Sequence, residues 1–246
     1  MSNKIDFYNE ENYCPWNFWE AVVAVFLTIP LILILTIPIA YLLERNMGEV
    51  IFSPSEISNF GFAIAYFIQA VVLLILLWLF VFYRNRATWY DLGIKPLSFL
   101  KGIFLTLFGI IAIFFIDIVY TIFLRFIPWD TSKDKIRLLI ENKNISLPML
   151  FIVAVIIAPI CEELFFRGFL FPAFKKKMTT FSAMFLSSIL FAVFHLEPTQ
   201  LIPLIGIGFI LAFVYEKSKS LIPSILLHSL NNLIAIIILF QFIKYS

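Results

Sequence analysis

Apolar residues fall in long runs separated by short polar breaks, at about 21–43, 60–83, 100–124, 148–174, 180–196, 200–216 and 221–243. Most runs approach the length of about 20 residues that carries a helix across the hydrocarbon core of a bilayer. In that medium each backbone polar group must be satisfied internally, so the runs predict helices. The pattern predicts an all-α, polytopic transmembrane bundle of seven spans, six to eight if one boundary is misplaced. No soluble domain fits between the runs, so residues 1–246 read as one integral membrane domain. The longest polar stretch is Arg125 to Ser146, where Ile136, Leu138, Leu139 and Ile140 alternate with charges. It reads either as an amphipathic helix on the membrane surface or as an exposed loop with some helix.

Composition sharpens this picture. Hydrophobic residues make up 62% of the chain and charged ones 14%, against about 45–50% and about 25% in soluble domains. A soluble enzyme, a secreted disulfide scaffold and a disordered chain are excluded. A net charge of +2 gives no case for nucleic-acid binding. Cys14 lies in the leader and Cys161 in an apolar run, which argues against a disulfide framework. The first 20 residues hold Lys4, Asp6, Glu10 and Glu11 among aromatics, and the run that follows is too long for a signal peptide. It reads as a retained span.

Orientation follows from Lys and Arg in the connections. Arg84, Arg86, Lys95 and Lys101, then Lys175, Lys176 and Lys177, then Lys217 and Lys219 fall on one side of a seven-span bundle. That side is expected to be cytoplasmic, together with the N-terminus. The 125–147 connection, with five basic residues, opposes this assignment.

Ionisable groups inside spans are costly and mark function by default. Here they are Asp117, Glu162, Glu163, Arg167, His195 and His228, accompanied by Asn231 and Asn232. The chain has two histidines, and both lie within spans. At the rise of an α-helix, Glu162 lies roughly 20 Å from Lys175 and His195 roughly 22 Å from Thr180. His228 and Asn232 lie roughly 12 and 18 Å beyond Ser220. Four polar groups from three spans are therefore expected to meet near mid-bilayer.

Helical spacing then sorts roles. Glu163 and Arg167, four apart, share a face and can pair. Glu162 is rotated about 100° from Glu163 and is left to face a cavity. His228 and Asn232, also four apart, project together. Pro159, one turn before Glu162, removes a helix hydrogen bond and should kink the helix there, and Gly168 permits close helix contact. Asp117 pairs with an Arg or Gln69, or sits in a water-filled groove. Phe191 is a packing residue lining the site.

A carboxylate facing an imidazole in a low-dielectric cavity suits water activation. A second His and an Asn amide can donate to a developing oxyanion. No serine or cysteine is wired as a nucleophile, so the set reads as direct water attack on a peptide carbonyl. Zinc is the competing chemistry: Glu162, His195 and His228 form a recognised ligand set, although no HExxH helix is present. The metal-free reading is the one we favour, with no cofactor.

Three motifs carry a family resemblance. Glu162 to Arg167 matches EExxxR, Phe191 to His195 matches FxxxH, and His228 to Asn232 matches HxxxN. In this order, they resemble the CAAX protease and bacteriocin-processing (CPBP, or Abi) family of intramembrane proteases, over about residues 148–235. The resemblance implies that Glu162 activates water, that His195 helps hold and polarise it, and that His228 and Asn232 form the oxyanion site. It makes Glu163 and Arg167 mainly structural. It implies a peptide substrate, either a prenylated CAAX-like protein tail or a bacteriocin or leader-type peptide, met in the lipid bilayer. Direct catalytic roles for Asp117 and Asn231 stay open, as does the oligomeric state. Two other classes compete: a proton-coupled transporter relaying protons through Glu162, His195 and Asp117, and a non-catalytic immunity or adaptor protein.

Overall fold

A computed structural model of the chain describes residues 14–47, 59–126, 148 and 151–245. Every regular element among them is helical. Helix α1 spans Phe18–Met47 and α2 Asn59–Leu77, the latter continued by a π-helical stretch at Trp78–Arg84. Helix α3 is Phe99–Leu124. Helix α4, residues 152–175, is composite: π-helical at Ile152–Ile157, α at Ala158–Glu163, π again at Leu164–Leu170 and α at Phe171–Lys175. Helices α5 (Thr180–Phe194), α6 (Leu201–Ser218) and α7 (Leu221–Tyr245) follow, with a 3₁₀ turn at Pro198–Gln200 before α6. The seven apolar runs thus become seven helices. The expected amphipathic helix in 125–146 lies outside the described residues from 127 onward, as do Lys4, Asp6, Glu10 and Glu11.

The seven helices are not seven equal spans. Five segments have the length and apolarity to cross a membrane: Phe18–Leu42, Ile64–Arg84, Phe99–Leu124, Pro198–Ser218 and Leu221–Ile238. Their outward faces are open apolar surface, with Phe26, Phe99 and Leu100 each at least 75% exposed, as lipid contact requires. Helix α5, at 15 residues, reaches about 22 Å and falls short of a full crossing. The later part of α4 is enclosed by protein: every residue of Leu164–Leu170 is buried. Hydropathy alone does not separate a helix in lipid from one inside a protein core, so these two motif-bearing runs looked like ordinary spans.

Helix α4 contacts α1, α2, α5, α6 and α7, while α3 packs on α6 and α7. Two glycines permit close approach to a neighbouring backbone. A Cβ on Gly168 would stand 2.9 Å from the Leu92 carbonyl oxygen, and one on Gly208 would stand 3.1 Å from Ser188 Cα. The leader locks onto α4 as well. Trp16 is fully buried and its indole N–H donates to the Phe169 carbonyl at 2.8 Å. Both cysteines are free and buried, and burial pushes the Cys14 thiol up to about 12, so it stays a neutral core group.

The basic connections meet at one end of the bundle. Leu221 N–H donates to the Gly93 carbonyl, and the Ser220 hydroxyl donates to the Lys95 carbonyl. Lys175 and Lys219 both bind Glu216, beside a cavity of about 280 Å³ that Lys95 and Lys176 also line.

Gly168→Ala should lower the thermal unfolding midpoint of the purified protein, because its methyl group must displace a backbone carbonyl, a strain of about 1–3 kcal/mol. Gly102→Ala meets nothing closer than 3.5 Å and should leave the midpoint unchanged or raised. Equal effects at the two positions would contradict the packing described.

Candidate functional site

The site is built on the broken helix, and prolines explain the breaks. An α-helical proline clashes with the carbonyl four residues earlier and offers no N–H. Each π stretch of α4 ends just before one, Pro159 and Pro172. In the first, Ala158 N–H donates to the Val153 carbonyl, one residue further back than in an α-helix. The Ala154 carbonyl then loses its α-type donor, and its π-type donor would be residue 159, which has no N–H. Asn232 of α7 supplies the missing partner: its amide donates to the Ala154 oxygen at 2.8 Å. The kink expected at Pro159 is thus realised as a change of helical register, a feature frequent at functional sites.

Just past Pro159, α4 presents two adjacent carboxylates. Glu163 is fully buried and accepts from Arg167 Nη1 at 2.7 Å, with neither side chain exposed. The Ser224 hydroxyl donates to its other oxygen. His228 Nδ1 lies 3.1 Å from Glu163 Oε1 and donates to it, since an ionised carboxylate only accepts. Arg167 also donates to the Gly208 carbonyl at 3.0 Å, and its guanidinium stands 4.3 Å over the Phe191 ring, a cation–π contact. Arg167 Nε and Glu162 Oε2 are buried without a hydrogen-bond partner among the described residues.

Glu162 faces the other way, as its helical offset requires. Its Oε1 accepts from Gln69 Nε2 of α2 at 3.4 Å. Its Oε2 looks at two imidazoles, His195 Nε2 at 3.7 Å and His228 Nε2 at 3.9 Å. His195 caps the C-terminus of α5, and its Nδ1 lies 2.7 Å from the Phe191 carbonyl. That oxygen only accepts, so Nδ1 carries the proton. The Phe191 ring contacts both histidine rings, tilted against His195 at 4.5 Å and edge-on to His228 at 5.5 Å.

The matched depths therefore correspond to real proximity: Glu162, His195 and His228 converge from three helices. Asn232, one turn beyond His228, gives an amide hydrogen to the Ala154 carbonyl. The Glu163–Arg167 pair forms as its spacing indicated, and Phe191 lines the site. Glu163 does more than brace Arg167, since it also fixes the His228 ring. Of the alternatives for Asp117, the groove is the one observed: Gln69 serves Glu162, and Asp117 lines a groove with Asn231, Thr121 and Arg125. Sequence reading missed Ser224, although its place four residues before His228 puts it on the same face. It could not assign Gln69 to Glu162, because nothing in the spacing relates α2 to α4.

Among the described residues, no group of three His, Cys, Asp or Glu side chains is arranged to hold a metal ion. The three groups that would come nearest to such a set are Glu162, His195 and His228.

Comparison with known proteins bears on the same segment. Residues 144–234 match the family described as type II CAAX prenyl endopeptidase Rce1-like. Two relatives each match part of the chain. One is "Putative membrane peptidase YdiL" of Bacillus subtilis (strain 168), 33% identical over 92 residues, which is 37% of this chain and 38% of the relative. The other is "UPF0177 protein YxdF" of Lactococcus lactis subsp. lactis (strain IL1403), 38% identical over 79 residues, 32% of this chain and 43% of the relative. The aligned stretches make up less than half of each relative. No solved structure matches the chain. The family resemblance read from EExxxR, FxxxH and HxxxN is thereby shown for the segment that carries those motifs.

The buried network predicts a specific stability pattern. Arg167→Met leaves the Glu163 charge without its cation and should cost about 3–5 kcal/mol. Combining it with Glu163→Gln should recover part of that loss. Denaturant unfolding of the two single variants and the double variant measures the coupling, and strictly additive losses would contradict the pairing.

Proposed function

We propose that this chain, Rce1-like over its motif-bearing segment, is an intramembrane endopeptidase that hydrolyses a peptide bond with a water activated by Glu162 and His195. The observation that carries the reading is the position of Glu162 Oε2. It is buried, makes no direct hydrogen bond among the described residues, and faces the Nε2 atoms of His195 and His228 at 3.7 and 3.9 Å. These separations exceed a direct hydrogen bond and suit a single bridging oxygen.

The chemistry then follows in order. Glu162 Oε2 takes a proton from the water while its oxygen bonds to the substrate carbonyl carbon. His195, with Nδ1–H committed to the Phe191 carbonyl, turns the Nε2 lone pair to the water and orients it. The carbonyl oxygen becomes an oxyanion. In our reading His228 and Asn232 donate to it, and such preorganised donors act most strongly in a site shut off from bulk water. In that role His228 is doubly protonated, with one N–H on Glu163 and the other on the oxyanion. Asn232 gives one amide hydrogen to Ala154 and has a second to offer. When the tetrahedral intermediate collapses, the C–N bond breaks and Glu162 returns its proton to the leaving nitrogen.

The substrate class we propose is an apolar or lipidated peptide that enters from the bilayer, either a CAAX-like prenylated tail or a bacteriocin or leader-type peptide. We read the mechanism as metal-free. We propose that the lysine-rich end of the bundle, and with it the N-terminus, faces the cytoplasm; the distribution of Lys and Arg supports this reading.

The test is cleavage of quenched fluorescent peptides, one farnesylated and CAAX-like and one leader-type, by purified protein. Glu162→Gln and His195→Ala should each reduce kcat/KM by about 10²–10⁴-fold, and a zinc chelator should leave wild type unchanged. Undiminished cleavage by Glu162→Gln would overturn the proposal. Activity lost to chelator and restored by zinc would replace the metal-free mechanism with one in which Glu162, His195 and His228 hold the ion.

A further inference from the structure

Asp117 is an intramembrane carboxylate that the mechanism leaves unused. It lies within the span Phe99–Leu124, and its exposed side chain lines a cavity of about 460 Å³ between α3 and α7. The walls are Ile110, Ile113, Phe114, Ile118, Ile234 and Ile238, and the polar lining residues besides Asp117 are Thr121, Arg125 and Asn231. The Thr121 hydroxyl is turned back onto the Asp117 backbone carbonyl at 2.7 Å. Arg125, eight residues further along α3, lines the same groove, but among the described residues neither it nor any other group makes an ion pair or hydrogen bond with the Asp117 carboxylate.

A carboxyl group open to hydrocarbon without a partner is costly, and groups of this kind recur along substrate or ion paths. Asn231 lines the same groove, and its amide donates to Asn232 Oδ1 at 3.5 Å, one helical turn beyond His228. A ligand that complements this groove is apolar over its length and bears one positive, hydrogen-bond-donating group.

We infer that the groove between α3 and α7 is a substrate subsite that takes an apolar peptide segment and binds its single cationic side chain at Asp117. The inference rests on the endopeptidase reading and gives that site a substrate preference. Asp117 is a specificity residue; it takes no part in the bond-breaking steps.

The experiment uses the full chain in lipid nanodiscs and a series of apolar quenched peptides. A single Lys is walked along each side of the cleaved bond, and every Lys peptide is paired with its norleucine counterpart. Wild type should favour Lys at one position by about tenfold in kcat/KM, the scale of a hydrogen bond to a charged group. The preference should appear in KM, with kcat unchanged. Asp117→Asn should erase the preference while cleaving the norleucine peptides as wild type does, and Asp117→Lys should favour Glu at the same position. A second readout needs no cleavage: dodecylamine should raise the thermal midpoint of wild type above the value with dodecanol, and Asp117→Asn should remove that difference.

Cleavage with the same Lys-to-norleucine ratio in wild type and Asp117→Asn would overturn the inference and leave the endopeptidase reading standing. Absence of cleavage of every peptide, together with an Asp117-dependent amine shift, would overturn the endopeptidase reading and sustain the groove as a cation site. Absence of both signals would overturn the two together.

Discussion

A single carboxylate buried beyond the reach of solvent organises this protein. Glu163 and Arg167 form an ion pair with neither side chain exposed, and removing two charges from water costs several kcal/mol per ion unless every remaining valence is satisfied. Glu163 therefore also collects the Ser224 hydroxyl and the His228 ring, and Arg167 collects the Gly208 carbonyl and the face of Phe191. These partners come from α5, α6 and α7. Satisfying one pair of charges on α4 thus fixes three helices around it. It also leaves the neighbouring Glu162, rotated out of the network, directed at two histidines.

The helix bearing these groups is irregular for a reason visible in its residues. Pro159 and Pro172 each lack an N–H to donate to the helix, and a stretch of π register precedes each. A register change inside a membrane protein strands a carbonyl, and hydrocarbon has no water to cover it. Asn232 covers the one at Ala154. The spacing of HxxxN thus has a structural logic beside the catalytic one proposed: one turn of α7 delivers a ring to the carboxylates and an amide to the orphaned carbonyl. An enclosed α4 in turn requires a shell of lipid-facing helices, which α1, α2 and α3 help to supply.

Much of this was legible before any coordinates. Run lengths gave seven helices with edges close to those observed. The two histidines, both within apolar runs, together with depth counted from the lysine-rich ends, brought Glu162, His195 and His228 together. The i, i+4 rule paired Glu163 with Arg167. What spacing could not convey was environment. The runs 148–174 and 180–196 read as spans because an apolar helix is equally apolar in a core or in lipid; burial of Leu164–Leu170 and the 15-residue length of α5 distinguish them only in three dimensions. Partnerships between helices distant in sequence were equally hidden, so Gln69 was offered to Asp117 when the fold gives it to Glu162. The link from Asn232 to Ala154 depended on a hydrogen-bond register that a periodicity argument treats as uniform.

The central claim is direct attack by a water held at Glu162, with no covalent enzyme intermediate. Cys161, buried one residue away, is the natural rival nucleophile. Single-turnover cleavage in H₂¹⁸O, followed by intact-protein mass spectrometry and by product analysis, separates the two routes. The account predicts one ¹⁸O in the new carboxylate, formed at the rate of cleavage, with no acyl adduct on the protein at any time. An acyl-enzyme on Cys161 that appears before the carboxylate product would contradict it.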